Sequence, residues 1–205
     1  RGQAEESAAA IGPRAIGLAA DVTDPAALDR AFAAARERFG RIDVVVANAG
    51  ISPARAATVR SQDPAEWRRI HEVDLLGVWR TVRAGLEDVI AAGGQLVLVS
   101  SSYAFMNGMI NSAYASSKAG VEALGRALRT ELTPLGASAT VAYFGWIDTP
   151  MVADAFADPV VDRLRHEALP AWATRRVPAE RAGGAIVRAL ERRSPRAIAP
   201  AEWRG

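Results

Sequence analysis

Apolar positions along this chain switch repeatedly between a period of two and a period near 3.6, the repeats of strands and helices. Residues 15–22 alternate and then run apolar, which predicts a strand. Asp24-Pro25 then supplies an N-cap and a first-turn proline for a helix that closes at Phe39 and Gly40. Residues 42–47 are β-branched and apolar on both faces, the pattern of a strand buried in a parallel sheet, and they end in Asn48-Ala49-Gly50. Asp63-Pro64 opens a long helical stretch to Ala91, stopped by Gly93-Gly94, and residues 95–100 (QLVLVS) read as a second buried strand. A loop rich in Met, Asn and Gly leads into a helix carrying Tyr114 and Lys118, which ends between Leu132 and Gly136. Residues 138–143 predict another strand, followed by Phe144-Gly145-Trp146-Ile147-Asp148-Thr149-Pro150-Met151. Beyond it come a segment expected to be mobile (154–177), a helix over 179–192 and a short strand over 197–199. Strands alternating with long helices predict βαβ units: an α/β fold with a parallel sheet covered on both faces.

Composition narrows the function classes. With 205 residues, 50% apolar and 23% charged, the chain suits one globular domain spanning 1–205. The formal charge is only +2, and the arginines sit beside acids, as in Arg36-Glu37-Arg38 and Glu66-Trp67-Arg68-Arg69, so no nucleic-acid stripe exists. Cysteine is absent, which excludes disulfides and thiolate metal sites. Apolar runs fall far short of the roughly 18–20 residues of a membrane span, so a soluble cytoplasmic protein with no membrane partner is expected. His71 and His166 occupy separate charged helical segments, and neither a metal constellation nor a Ser-His-Asp arrangement is found.

One position stands out chemically. Of 25 basic residues 24 are arginine, and the lone lysine, Lys118, follows Tyr114 by four positions in Tyr114-Ala-Ser-Ser-Lys118. Residues i and i+4 share a helix face, which puts the ammonium beside the phenol. A positive neighbour favours phenolate, so a lowered Tyr114 pKa is expected. The other special residues fall at strand ends, where ligands of parallel sheets bind: Asp21, Asn48-Ala49-Gly50, Ser100-Ser101-Ser102 and the 145–149 stretch.

The ordered set Asp21-Val22, Asn48-Ala49-Gly50, Ser101, Tyr114, Lys118 and Ile147-Asp148-Thr149 resembles the short-chain dehydrogenase/reductase family over about 15–192. The resemblance implies a Rossmann-type doubly wound parallel sheet and an NAD(P)-dependent oxidoreductase that moves hydride between a secondary alcohol and a ketone. Tyr114 would be the general acid/base. Lys118 would lower its pKa and hold the nicotinamide ribose, and Ser101, thirteen residues before the tyrosine, would bind the substrate oxygen. Asp21 and Val22 would meet the adenine of NAD or NADP, Asn48, Ala49 and Gly50 the turn beneath it, and Gly145, Ile147 and Thr149 the nicotinamide end. Asp74 joins the catalytic set where the family usually has Asn; as an acid it donates only when protonated.

Two further departures shape the expectations. The family's Pro-Gly after the fourth visible strand is Phe144-Gly145 here. The family's opening strand, Gly-rich turn and first helix, within a unit of roughly 30 residues, have no counterpart, so the chain is expected to be N-terminally incomplete and to bind NAD(P) weakly by itself. A substrate mouth lined by Tyr103, Phe105, Met106, Met109, Phe144, Trp146 and Met151 is expected to favour an apolar or alicyclic alcohol or ketone, with residues 154–177 as a lid. The resemblance also implies a homotetramer or homodimer using helices near 65–91 and 112–133. A non-catalytic dinucleotide-binding protein or an inactive fragment is the rival expectation.

Overall fold

The computed structural model describes residues 2–106, 108, 110–168 and 174–200. Its frame is an all-parallel sheet of four strands in the order β1 (Val44–Ala47), β2 (Gln95–Val99), β3 (Ser138–Phe144) and β4 (Arg196–Ala199). Parallel neighbours require crossovers, and helices fill each one. After α1 (Gly2–Ile11) and α2 (Pro25–Phe39), α3 (Pro64–His71) and α4 (Val78–Ala91) connect β1 to β2, and α5 (Ser112–Leu132) connects β2 to β3. Three helices, α6 (Pro150–Ala157), α7 (Pro159–Ala168) and α8 (Ala179–Glu191), lead from β3 to β4.

Side chains alternate across a strand, and β2 uses both sides. Leu96 and Leu98 pack with Val45, Val82, Val121 and Leu128 under α4 and α5, whereas Val97 and Val99 pack with Ala142, Ala189 and Ala197 under α8. Helix α5 lies close enough to the sheet that a Cβ on Gly125 would strike the Val141 side chain. The expected helix caps form: Asp24 and Asp63 accept from the Ala26 and Ala65 amides, and Gly40 closes α2 with φ 80°.

Three expectations change. Residues 15–22 form no strand, because no described strand runs beside them to take up their N–H and C=O groups. They pass over α1 instead, at Gly17, where a Cβ would collide with the Ala4 backbone. Strand β1 is buried on one face only. It has β2 on one side and, among the described residues, no strand paired on the other, and Val44 and Val46 are 38% and 41% exposed. The stretch from Pro64 to Ala91 is helical throughout but interrupted by a π-helical turn, Glu72–Gly77. In the segment expected to be mobile, residues 154–157 and 159–168 are helical, and Val177 is tied back by Asp148 N–H to its carbonyl at 2.8 Å; residues 169–173 lie outside the described residues. Among the described residues no helix is long and apolar enough to cross a membrane.

Candidate active site

The parallel register brings the ends of β1, β2 and β3 to one edge of the sheet. At the end of β2 three serines do different work. Ser100 Oγ donates to the Lys118 carbonyl at 2.8 Å, fastening α5 to the strand. Ser101 Oγ donates to the Phe144 carbonyl at 3.3 Å and accepts from the Tyr103 amide at 3.2 Å, and its hydroxyl stands near enough to the Tyr114 phenol to favour phenolate. Ser102 begins a short 3-10 turn, Ser102–Ala104, that carries Tyr103. The Tyr103 and Tyr114 rings meet edge to face with centroids 5.8 Å apart. Ser101 is the serine of the three that acts on the Tyr114 phenol.

Lys118 follows one turn later on α5, its Nζ 5.4 Å from the centre of the Tyr114 ring. The ammonium is buried. It donates to the Val99 carbonyl at 3.3 Å and faces Asp74 Oδ2 at 3.4 Å. Asp74 is itself 0% exposed, and its Oδ1 accepts from the Ile51 amide at 2.8 Å. Gly50 closes this pocket. A Cβ there would lie 3.3 Å from Lys118 Nζ and 3.4 Å from Asp74 Oδ2.

These surroundings overturn the expected tuning of the tyrosine. Burial pushes the Tyr114 phenol well above its ordinary range; the Ser101 hydroxyl opposes this and the Asp74 charge adds to it. Lys118 stands beside the ring, as the i, i+4 spacing requires, but its nearest charge is a carboxylate. Burial also lowers Lys118 and raises Asp74, each partly corrected by the other's charge.

The residues expected to hold a dinucleotide are spread along the same edge. Asn48 and Ala49 are exposed after β1. Asp21 is exposed and accepts from the Thr23 amide and hydroxyl, both at 2.8 Å, which lowers its pKa. Val22 packs against the π-helical turn, where a Cβ on Gly77 would come within 2.6 Å of it. The Gly145 amide donates to the Ala199 carbonyl at 3.0 Å, and Ile147 bridges to Val177. Thr149 caps α6, its hydroxyl accepting from the Val152 amide.

Next to Ser102 and Tyr103 opens a cavity of about 690 Å³. Tyr103, Met106 and Trp146 line it as expected, but Phe105, Phe144 and Met151 do not, and Met109 lies outside the described residues. Phe105 is largely exposed against Tyr143, and Phe144 packs against the α8 cluster. The cavity is also less apolar than expected, since Arg55, Asn111, Asp154, Asp158 and Arg165 reach it. Sequence reasoning missed the 52–56 loop, which is moored when the Ala56 amide donates to Asp158 at 3.0 Å. It also missed the Asp74–Lys118 pair, whose one signal was an acid flanked by Val73, Leu75 and Leu76.

Comparison with known proteins agrees with this geometry. The short chain dehydrogenase family model matches residues 2–159. A cis-4-hydroxycyclohexanecarboxylate dehydrogenase of Sinomonas cyclohexanicum is 37% identical over 148 residues, 72% of this chain and 59% of that protein. An L-rhamnose 1-dehydrogenase (NAD(P)(+)) of a Sphingomonas strain is 35% identical over 151 residues, 73% of this chain and 59% of that one. This chain thus spans little more than half the length of such relatives. In fold it superposes on a 3-ketoacyl-(acyl-carrier-protein) reductase from Brucella melitensis, crystallised with NADH, at a TM-score of 0.80, 23% identity and coverage of 97% and 82%. The match of the family model over most of the chain, together with the strand-end site, establishes that this chain belongs to the short chain dehydrogenase family.

Proposed function

We propose that the chain carries the catalytic part of an NAD(P)-dependent oxidoreductase that interconverts a secondary alcohol and a ketone. The observation that carries this reading is the placing of Tyr114, with the Ser101 hydroxyl acting on its phenol and the buried Lys118 Nζ 5.4 Å from the centre of its ring. The site suits a nicotinamide dinucleotide, because Lys118 and Tyr114 stand together at the strand ends and Gly50 sets no side chain against the Lys118 Nζ. Lys118 and Tyr114 would hold the nicotinamide ribose, the 48–50 turn and the Gly145, Ile147 and Thr149 backbone the rest of that half, and Asp21 with Val22 the adenine. NAD and NADP both fit this set. When bound, the dinucleotide supplies hydride for reduction and takes it up in oxidation.

The chain's own part is proton handling and orientation. In reduction the substrate carbonyl oxygen accepts from the Ser101 and Tyr114 hydroxyls, which meet the charge that grows on it, and Tyr114 then gives up its proton. The phenolate left behind lies beside the Lys118 ammonium. The cavity beside Tyr103 and Trp146 receives the body of the substrate, with α6 and α7 as its lid. Its aromatic wall, and the cyclic hydroxy acid handled by the Sinomonas relative, favour an alicyclic alcohol. Exposed Leu76 and Trp79 on the π-helical turn and α4 mark the face for pairing into a dimer or tetramer.

The test is oxidation of NADH or NADPH in the presence of cyclic ketones by the chain and by Tyr114→Phe. Loss of a general acid typically costs about 10²–10⁴-fold. A Tyr114→Phe variant with more than half the parental rate would remove the tyrosine from the reaction.

A further inference from the structure

The buried acid of the site has a geometry that assigns it a task. Asp74 is the third residue of a π-helical turn held in place on two sides. Leu75 fills the space over Gly120 of α5, where a Cβ would come within 2.9 Å of it, and Gly77 receives Val22. One carboxylate oxygen is fixed by the Ile51 amide at 2.8 Å; the other makes no hydrogen bond among the described residues and looks across 3.4 Å at Lys118 Nζ. No side chain at position 50 comes between them.

We propose that Asp74 is a positioning residue acting through Lys118: it fixes where the ammonium sits and offsets its charge, and so sets the pH at which Tyr114 gives up its proton. The inference rests on the reading of Tyr114 as the proton carrier. Opposite charges this close act on a third group as a dipole, whose field falls off faster than that of either charge alone. Tyr114 is faced by Lys118 from its own helix, by Asp74 from the π-helical turn, and by Ser101 and Tyr103 from the end of β2. Asp74 is faced by Lys118 and by His71 at the end of α3. Farther along α5 and β3, Glu122 and Tyr143 hydrogen-bond each other at 3.3 Å. Lys118 is thus the cation that faces both the Tyr114 ring and Asp74.

The experiment is an alkaline titration of phenolate by ultraviolet absorbance in the full chain without dinucleotide, with Tyr114→Phe as the blank that assigns the Tyr114 signal. In Asp74→Asn the Lys118 charge is unopposed, and the Tyr114 midpoint is expected to fall by about one unit or more. The pH profile of alcohol oxidation is expected to move the same way. An unchanged or higher midpoint in a variant with the parental circular dichroism overturns the proposal. Should Asp74→Asn not fold, the double variant Asp74→Asn/Lys118→Gln, neutral on both sides, is titrated instead. Its midpoint is expected to stay near the parent's, and a rise of about one unit or more would show that Lys118 acted unopposed all along. Parental turnover by Tyr114→Phe would sink the proton-carrier reading but leave the absorbance result standing.

Discussion

Gly50 and Lys118 approach so closely that a methyl group on the glycine would stand 3.3 Å from the ammonium nitrogen. Backbone strain is no obstacle there, since Gly50 is not in the left-handed region, so alanine costs only space. Gly50→Ala is therefore expected to melt close to the parent yet lose about tenfold or more in kcat/KM, because small displacements of reacting groups are costly. Steady-state kinetics beside a thermal melt check this, and parental kcat/KM would show that the site has slack.

The direction of reaction is expected to show in its pH dependence. Burial holds the Tyr114 phenol above its ordinary range, so the proton-donating form is fully populated at neutral pH and the phenolate appears only as the pH climbs. Ketone reduction is then flat across roughly pH 6 to 9, while alcohol oxidation rises throughout that interval. Initial rates in both directions decide it. An oxidation rate that levels off near neutrality would mean a phenol far more acidic than its surroundings imply.

Removing the lysine is expected to make stability depend on acid. Burial raises the Asp74 carboxyl, and Lys118 is the chief influence pulling it back. Without the ammonium the carboxyl rises further. A group whose folded pKa exceeds its unfolded one stabilises fully below the unfolded value, and that contribution is lost as pH rises through the folded value. Lys118→Met should therefore melt below the parent at neutral pH, the gap narrowing as the pH falls towards about 3.9. Melting curves across the acid range test this, and a gap that widens on acidification would contradict it.

A contrasting variant separates scaffold from site. Gly94, at the entry to β2, backs onto the Asp43 carbonyl so closely that a Cβ would collide with it. Backbone cannot move aside as a side chain can, and Gly94→Ala is expected to cost about 1–3 kcal/mol or more. Denaturant melts measure this, while the rate per folded molecule should stay parental.

Much of this arrangement could be read before any coordinates. Asp24, Asp63 and Gly40 announce helix ends through their own local chemistry, and Ser101, Tyr114 and Lys118 are tied together by strand-end placement and one turn of helix. Residues 15–22 could not be read, because an apolar segment becomes a strand only with a neighbour, and local pattern does not say who that is. Tyr114 was misjudged for a related reason. The lysine's spacing was visible, but its partner Asp74 arrives from a distant part of the chain, and whether a charge acts on its neighbour depends on what else it faces. The cavity's Arg55 and Arg165 come from loops and helices whose approach is a matter of tertiary packing.

The π-helical turn of Glu72–Gly77 also bears on which insertions and deletions the chain can tolerate. A π turn holds more residues than the α-helical turn it replaces, and an α-helix advances about 100° per residue. Deleting one residue between 72 and 77 would let α3 and α4 fuse into a regular helix, swinging Asp74 away from Lys118 though every side chain named in the site remained. The site is thus guarded by a count of residues as well as by their identity, and an alignment that closes a one-residue gap in this turn would misplace Asp74.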